Sequence, residues 1–148
     1  CNLRPTSRGS THIQGPHVAE APRIDPRYLS TETDRRVAID AVRKTRTLMD
    51  HPSLQGFRPE EYRPGRSYQT DSELIEAIGD VAATIFHPVG TAKMGDASDP
   101  YAVVTPQLSV HGLEHLSIAD ASVIPQITSG NTHAPVVMIA ERLAEWLR

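Results

Sequence analysis

The sequence predicts an α+β fold. Three observations point to it: helical periodicity in three separate stretches, short apolar runs bounded by turn residues, and prolines that hold the intervening chain extended. The chain has 148 residues, 39% of them hydrophobic, which is enough to bury a core. It reads as one domain or one large piece of a domain. A chain that begins at Cys1 rather than methionine also reads as a fragment or a processed product.

The elements follow in order. Ser10-Thr-His-Ile13 is a short extended candidate flanked by turn residues, and Pro16, Pro22 and Pro26 keep the next stretch out of helix. Thr31-x-x-Asp34 resembles a capping box, and Val37, Ala38, Ala41, Val42, Leu48 and Met49 recur at helical spacing. Residues 52–69 carry prolines, glycines and charges and read as a surface loop. A second start at Thr70-x-x-Glu73 opens a helix with Leu74, Ile78, Val81, Ala82 and Ile85 on one face. That face runs into His87, and Pro88 biases His87 away from helical angles. The reading therefore expects a rigid helix end that presents His87. Val103-Val104 and Gln107 to Val110 are short extended candidates, and Leu116-Ser-Ile-Ala119 reads as a buried strand ending at Asp120. A last helix starts between Asn131 and Pro135, with Val136, Ile139, Ala140, Leu143 and Leu147 along its apolar face.

Composition narrows the function. Charged residues make up 22% and the formal net charge is -3, with both signs interspersed, which argues against a nucleic-acid surface. No run of about 18 apolar residues predicts a membrane span. The lone Cys1 excludes an internal disulfide and a cysteine zinc site. His12, His17, His51, His111 and His115 lack metal-type grouping, so no metal is expected. The absence of a visible secretory pattern sets a cytoplasmic expectation.

Three stretches can carry chemistry. In FHPVGTAKMG, His87 is either a structural junction residue or a general base held rigidly near neutral pH. In LSIADAS, Asp120 either caps the following turn or accepts from ligand hydroxyls, with small Ala121 leaving the backbone accessible. In SGNTHAP, polar residues crowd the start of a helix whose free N–H groups favour negative charge. Ordinary capping explains those residues equally well, and His133 is either a ligand contact or an exposed cap residue.

Taken together, HPVGTAKMG, VVTPQLSVHGLEHLSIADASVIP and SGNTHAPVVMIAERLAEWL resemble the C-terminal part of the glucose–methanol–choline (GMC) flavoprotein oxidoreductases, in the family's order and spacing. LRPTSRGSTHI and PRIDPRYLS extend the resemblance over nearly the whole chain, and its flavour is that of the choline-dehydrogenase-like and alcohol-dehydrogenase-like branch.

The resemblance implies part of an antiparallel substrate-domain sheet with helices, contributed by residues 1–115. Residues 116–148 would then return to the FAD-binding domain as a strand and helix. It implies FAD as cofactor, with Asp120 and Ala121 near the ribityl–pyrophosphate region and the backbone of Thr132 and His133 near the flavin ring. Many relatives have asparagine where this chain has His133. The family's catalytic histidine falls on His87 and its second active-site residue on Asn131. The implied reaction is oxidation of an alcohol, with His87 as base and hydride passing from the carbon to flavin N5. The glycine-rich dinucleotide-binding unit of the family is not within these residues. Activity is therefore expected only with an N-terminal FAD-binding half, in cis or as another chain. The alternative is an inactive truncated fragment or interaction module that self-associates through exposed core surface.

Overall fold

The computed structural model describes all residues 1–148. Contacts within the chain gather into two compact units, residues 1–9 with 25–84 and residues 10–24 with 85–148. No helix is long and apolar enough to cross a membrane.

The first unit is built on two helices, α1 (Glu32–Met49) and α2 (Asp71–Val81). Both begin after an extended threonine whose hydroxyl accepts a backbone N–H three residues on, Asp34 for Thr31 and Glu73 for Thr70. At α2 the box is reciprocal, because Glu73 also accepts from the Thr70 N–H. The two helices pack through Ile39, Leu74 and Ile78, with Leu29, Ala38, Val42 and Ile75 at the margin.

At α1 the box is not closed by Asp34. Asp34 is 3% exposed, and its carboxylate is taken by the segment before the helix. It accepts from Asn2 Nδ2 at 3.0 Å, Thr6 N at 2.8 Å, Thr6 Oγ1 at 3.1 Å and Ser7 N at 2.8 Å. The Thr31 N–H turns to Ser7 Oγ instead. Burial by itself would raise the pKa of this carboxyl, but the hydrogen bonds from Ser7 and Thr6 outweigh it and hold the group far below the usual carboxylate range. The negative charge also sits in the first turn of α1, where the helix dipole favours it.

Residues 52–69 lie at the surface as a loop, opened by a short 3-10 helix at Pro52–Phe57. The rest of the path is pinned by Arg46 from the last turn of α1. Its guanidinium grips Glu61 with two bonds of 2.9 Å and donates to the carbonyls of Tyr68 and Gly65. Both side chains are little exposed, at 12% and 13%, so this forked pair is sheltered from water. The Arg46 bonds keep Glu61 ionised below its ordinary range.

Helix α2 stops earlier than its apolar face predicts. It ends at Val81, and Ala82 is already extended. Leu74, Ala77 and Ile78 are buried, whereas Val81 and Ile85 are exposed. Past Ile78 the stripe has no partner to bury against, so the periodicity continues in the sequence without a helix. His87 is consequently not carried on a helix end.

The second unit starts with a two-stranded antiparallel sheet, β1 (Ser10–His12) with β2 (Arg23–Asp25), whose last residue counts with the first unit. Its core is Val104, Leu108 and Val123, with Met94, Val110, Ile118, Ala119, Ile139 and Leu143 packed around it. Single β-bridges join Met94 to Val104, Val104 to Val110, and Ser109 to Ser117. The expected buried strand at 116–119 is only such a bridge. Leu116 is exposed, and Ile118 and Ala119 alone turn to the core. A strand needs neighbours on its edges, and residues 108–110 supply one short neighbour. Helix α3 (His133–Trp146) closes this core with Ile139 and Leu143. Pro135 is its third residue, where a missing N–H costs nothing.

The segment after His87 runs beside residues 122–124. Ala92 N–H donates to Ser122 O at 3.0 Å and Met94 N–H to Val123 O at 2.8 Å. Gly90 makes this approach possible. Its φ is +87°, and a Cβ there would lie 3.3 Å from Ile124 O.

Two outcomes follow for stability. The unfolded Asp34 carboxyl titrates near 3.8 and the folded one lower, so its contribution is complete above about pH 5 and is lost as pH falls below about 4. Urea unfolding followed between pH 3 and pH 7 should therefore show a smaller acid-dependent loss for Asp34→Asn than for the native chain. An unchanged slope would contradict the role given to this carboxylate. Gly90→Ala should lower stability by about 1–3 kcal/mol, since it strains the backbone and crowds the Ile124 carbonyl; a neutral result by the same measurement would contradict the tight approach.

Candidate active site

His87 sits between Phe86, with a φ of +61°, and Pro88. A left-handed aromatic residue is an uncommon backbone state, and a proline on the other side fixes the exit. The ring is half-buried. Its Nδ1 lies 3.0 Å from Thr132 Oγ1, 45 residues away in sequence. Nε2 makes no hydrogen bond within the chain. The expectation that Pro88 terminates a helix to present His87 is thus replaced by a different device, a strained loop tied to the start of α3.

Thr132 is the residue immediately before α3 and is 6% exposed. Ser129, with a φ of +57°, bends the chain into that position. Asn131 is exposed one residue before the contact with His87, and His133 is the exposed first residue of α3. No side chain caps α3, and its first turn holds no acidic residue. Helices α1 and α2 differ on both counts. The α3 start is therefore an uncompensated positive dipole end with open backbone donors.

Asp120 is exposed and its Oδ1 accepts from Ser122 N at 2.7 Å, capping the short 3-10 helix Ala121–Val123. This is the turn-capping role weighed for it above. Its other oxygen makes no hydrogen bond within the chain. The turn is also bonded to residues 92–94, just after His87, through the Ser122 and Val123 carbonyls. The structure thus brings the three candidate stretches together within the second unit. His87 meets the α3 start directly, and the Asp120 turn lies along the chain that leaves His87. Sequence reasoning gave Thr132 a role through its backbone and missed its side chain. A threonine before a helix suggests a cap, and only the fold shows that its hydroxyl is turned to His87.

His111 Nε2 approaches Gly95 O at 3.2 Å, and Lys93 pairs with Asp99 at 2.6 Å beside the Tyr101 ring. Both contacts tie down the loop that follows the His87 segment. No group of three or more His, Cys, Asp or Glu residues is placed to hold a metal ion.

Comparison with known proteins gives a consistent result. The C-terminal GMC oxidoreductase family model matches residues 5–140. The chain is 43% identical over 143 residues to the oxygen-dependent choline dehydrogenase of Staphylococcus aureus (strain JH9), covering 96% of this chain and 25% of that protein. The crystal structure of pyridoxine 4-oxidase from Mesorbium loti superposes with a TM-score of 0.89 at 39% identity, over 97% of this chain and 28% of the other. A fungal aryl-alcohol oxidase superposes with a TM-score of 0.81 at 30% identity, over 99% of this chain and 25% of the other. An FAD-dependent oxidoreductase from Chaetomium thermophilum does so with a TM-score of 0.89 at 31% identity, over 98% and 25%. The chain spans about a quarter of the length of the relatives it matches. Its sequence and its fold place it in the GMC oxidoreductase family, as that family's C-terminal part.

Proposed function

We propose that this chain is the C-terminal catalytic portion of an FAD-dependent alcohol oxidoreductase, with His87 as the base. The observation that carries the reading is the 3.0 Å contact between His87 and Thr132, which joins two distant family motifs at one point. It leaves Nε2 of a half-buried imidazole without a partner, as a base requires.

The donor set fits FAD. The uncapped start of α3 offers backbone N–H groups and a positive dipole end. Asp120 offers an unengaged carboxylate oxygen to a hydroxyl, and Ala121 leaves the backbone beside it open. Asp120 and Ala121 would face the ribityl–pyrophosphate region, and the Thr132 and His133 backbone the ring. When bound, FAD supplies the two-electron acceptor for the hydrogen that leaves the alcohol carbon.

The chain's own residues handle the oxygen side. His87 Nε2 takes the hydroxyl proton. The Asn131 amide, exposed beside the same contact, donates to the alcohol oxygen and fixes its orientation. The positive end of α3 favours the negative charge that builds up near it.

The exposed surface supports a partner that completes the enzyme. The chain presents 11162 Å² of accessible surface, against about 9,000 Å² for two separate compact units of this mass. Val137, Met138, Trp146 and Leu147 of the α3 region are all exposed. We assign this apolar surface to contact with the FAD-binding half, in cis or as another chain. The same exposure is what favours the second reading, an inactive piece that self-associates.

The substitution His87→Ala tests the base. In the chain assembled with an FAD-binding half, it should lower kcat by roughly 10²–10⁴-fold while flavin stays bound. Turnover close to that of the unaltered protein would reject His87 as the base.

A further inference from the structure

We propose that the Thr132 hydroxyl is a positioning group for His87: it accepts from the Nδ1–H and thereby presents an unprotonated Nε2 to the alcohol. The inference rests on the reading of His87 as base and deepens it.

Each of the three helices is preceded by a threonine, and this one behaves differently. Thr31 and Thr70 have extended backbones and cap their helices with the hydroxyl. Thr132 has a φ of -88° and a ψ of -7°, already helical, and its side chain makes no cap bond. The hydroxyl goes to His87 Nδ1 instead. A side-chain N-cap stabilises its helix, so the helix start forgoes a common stabilisation in favour of holding the ring.

The environment makes that bond selective. Thr132 is 6% exposed, so water competes poorly for its hydroxyl. A hydroxyl can accept from Nδ1–H or donate to a bare Nδ1, and the direction assigned here is the one that leaves Nε2 unprotonated. A proton can be received at Nε2 only when the neutral ring carries its hydrogen on Nδ1. Thr132 then acts as acceptor, and the bond survives when Nε2 takes the proton, because Nδ1 keeps its hydrogen throughout. The opposite tautomer would place a hydrogen on Nε2 and block the acceptance. A hydroxyl therefore serves here where an obligate donor would not.

The test pairs a spectroscopic readout with kinetics, in the chain assembled with an FAD-binding half. Histidine is labelled with ¹⁵N, and the His87 signal is assigned by its loss in His87→Gln. Long-range ¹H–¹⁵N spectra should report the Nδ1–H tautomer in the native protein and in Thr132→Ser, which keeps the hydroxyl. In Thr132→Val, close in shape but without the oxygen, the population should move toward the Nε2–H tautomer. In that variant kcat should fall roughly ten- to a hundredfold with KM changed less than about threefold, and Thr132→Ser should restore most of the rate. An Nε2–H tautomer in the native protein, or one unmoved by Thr132→Val, overturns the positioning role even if His87→Ala has lost its turnover. Near-normal turnover of His87→Ala overturns the base reading instead, whatever tautomer is seen.

Discussion

The second unit depends on the burial of Val104, Leu108 and Val123 beneath Ile139 and Leu143. Two of these contacts lie on α3, so the core decides where that helix begins. Because Val123 belongs to the turn after Asp120, the same core also places that turn. His87 then meets its partner there, since Thr132 is buried at the helix start with its hydroxyl 3.0 Å from Nδ1. The apolar core thus determines the polar site, although no buried core residue is itself a catalytic candidate. Truncating a buried leucine such as Leu108 to alanine generally costs about 2–5 kcal/mol, and here it would also loosen the core against which α3 packs.

The site itself is built from loops and helix ends. A strained Phe86, a glycine at Gly90 that admits the Ile124 carbonyl, and a left-handed Ser129 each bend the chain where a regular element could not. Such backbone states persist only where the surroundings enforce them. Hydrogen bonds from Ala92 and Met94 to the 122–123 carbonyls provide that enforcement beside His87. The first unit solves a similar problem with charge, laying the amino-terminal segment onto α1 through Asp34 and closing a loop with Arg46 and Glu61.

Much of this was legible in the chain. The threonine starts of α1 and α2 declare themselves by type and spacing, and the apolar positions of α3 name Ile139 and Leu143 before any fold is known. Other features were hidden for physical reasons. The end of α2 is set by where its partner stops, and periodicity cannot report a missing neighbour. Leu116 to Ala119 looks buried by composition, yet a strand forms only with edges to pair on. Asp34 reads as a capping-box acid, and its use by Thr6 and Ser7 is a tertiary choice. His87 and Asp120 stand out as candidates in their local sequence, their roles and that of Asn131 are what the family resemblance implies, and the Thr132 hydroxyl bond appears only in the folded chain.

The most direct test of the account is anaerobic reduction of flavin by an alcohol, followed by visible absorption. The chain would be combined with the FAD-binding half of a GMC oxidoreductase, and that half alone would serve as the control. The account predicts that the oxidised flavin band bleaches on adding alcohol only when this chain is present. A flavin-loaded assembly containing the chain whose band is unmoved by the alcohols that relatives oxidise would contradict it.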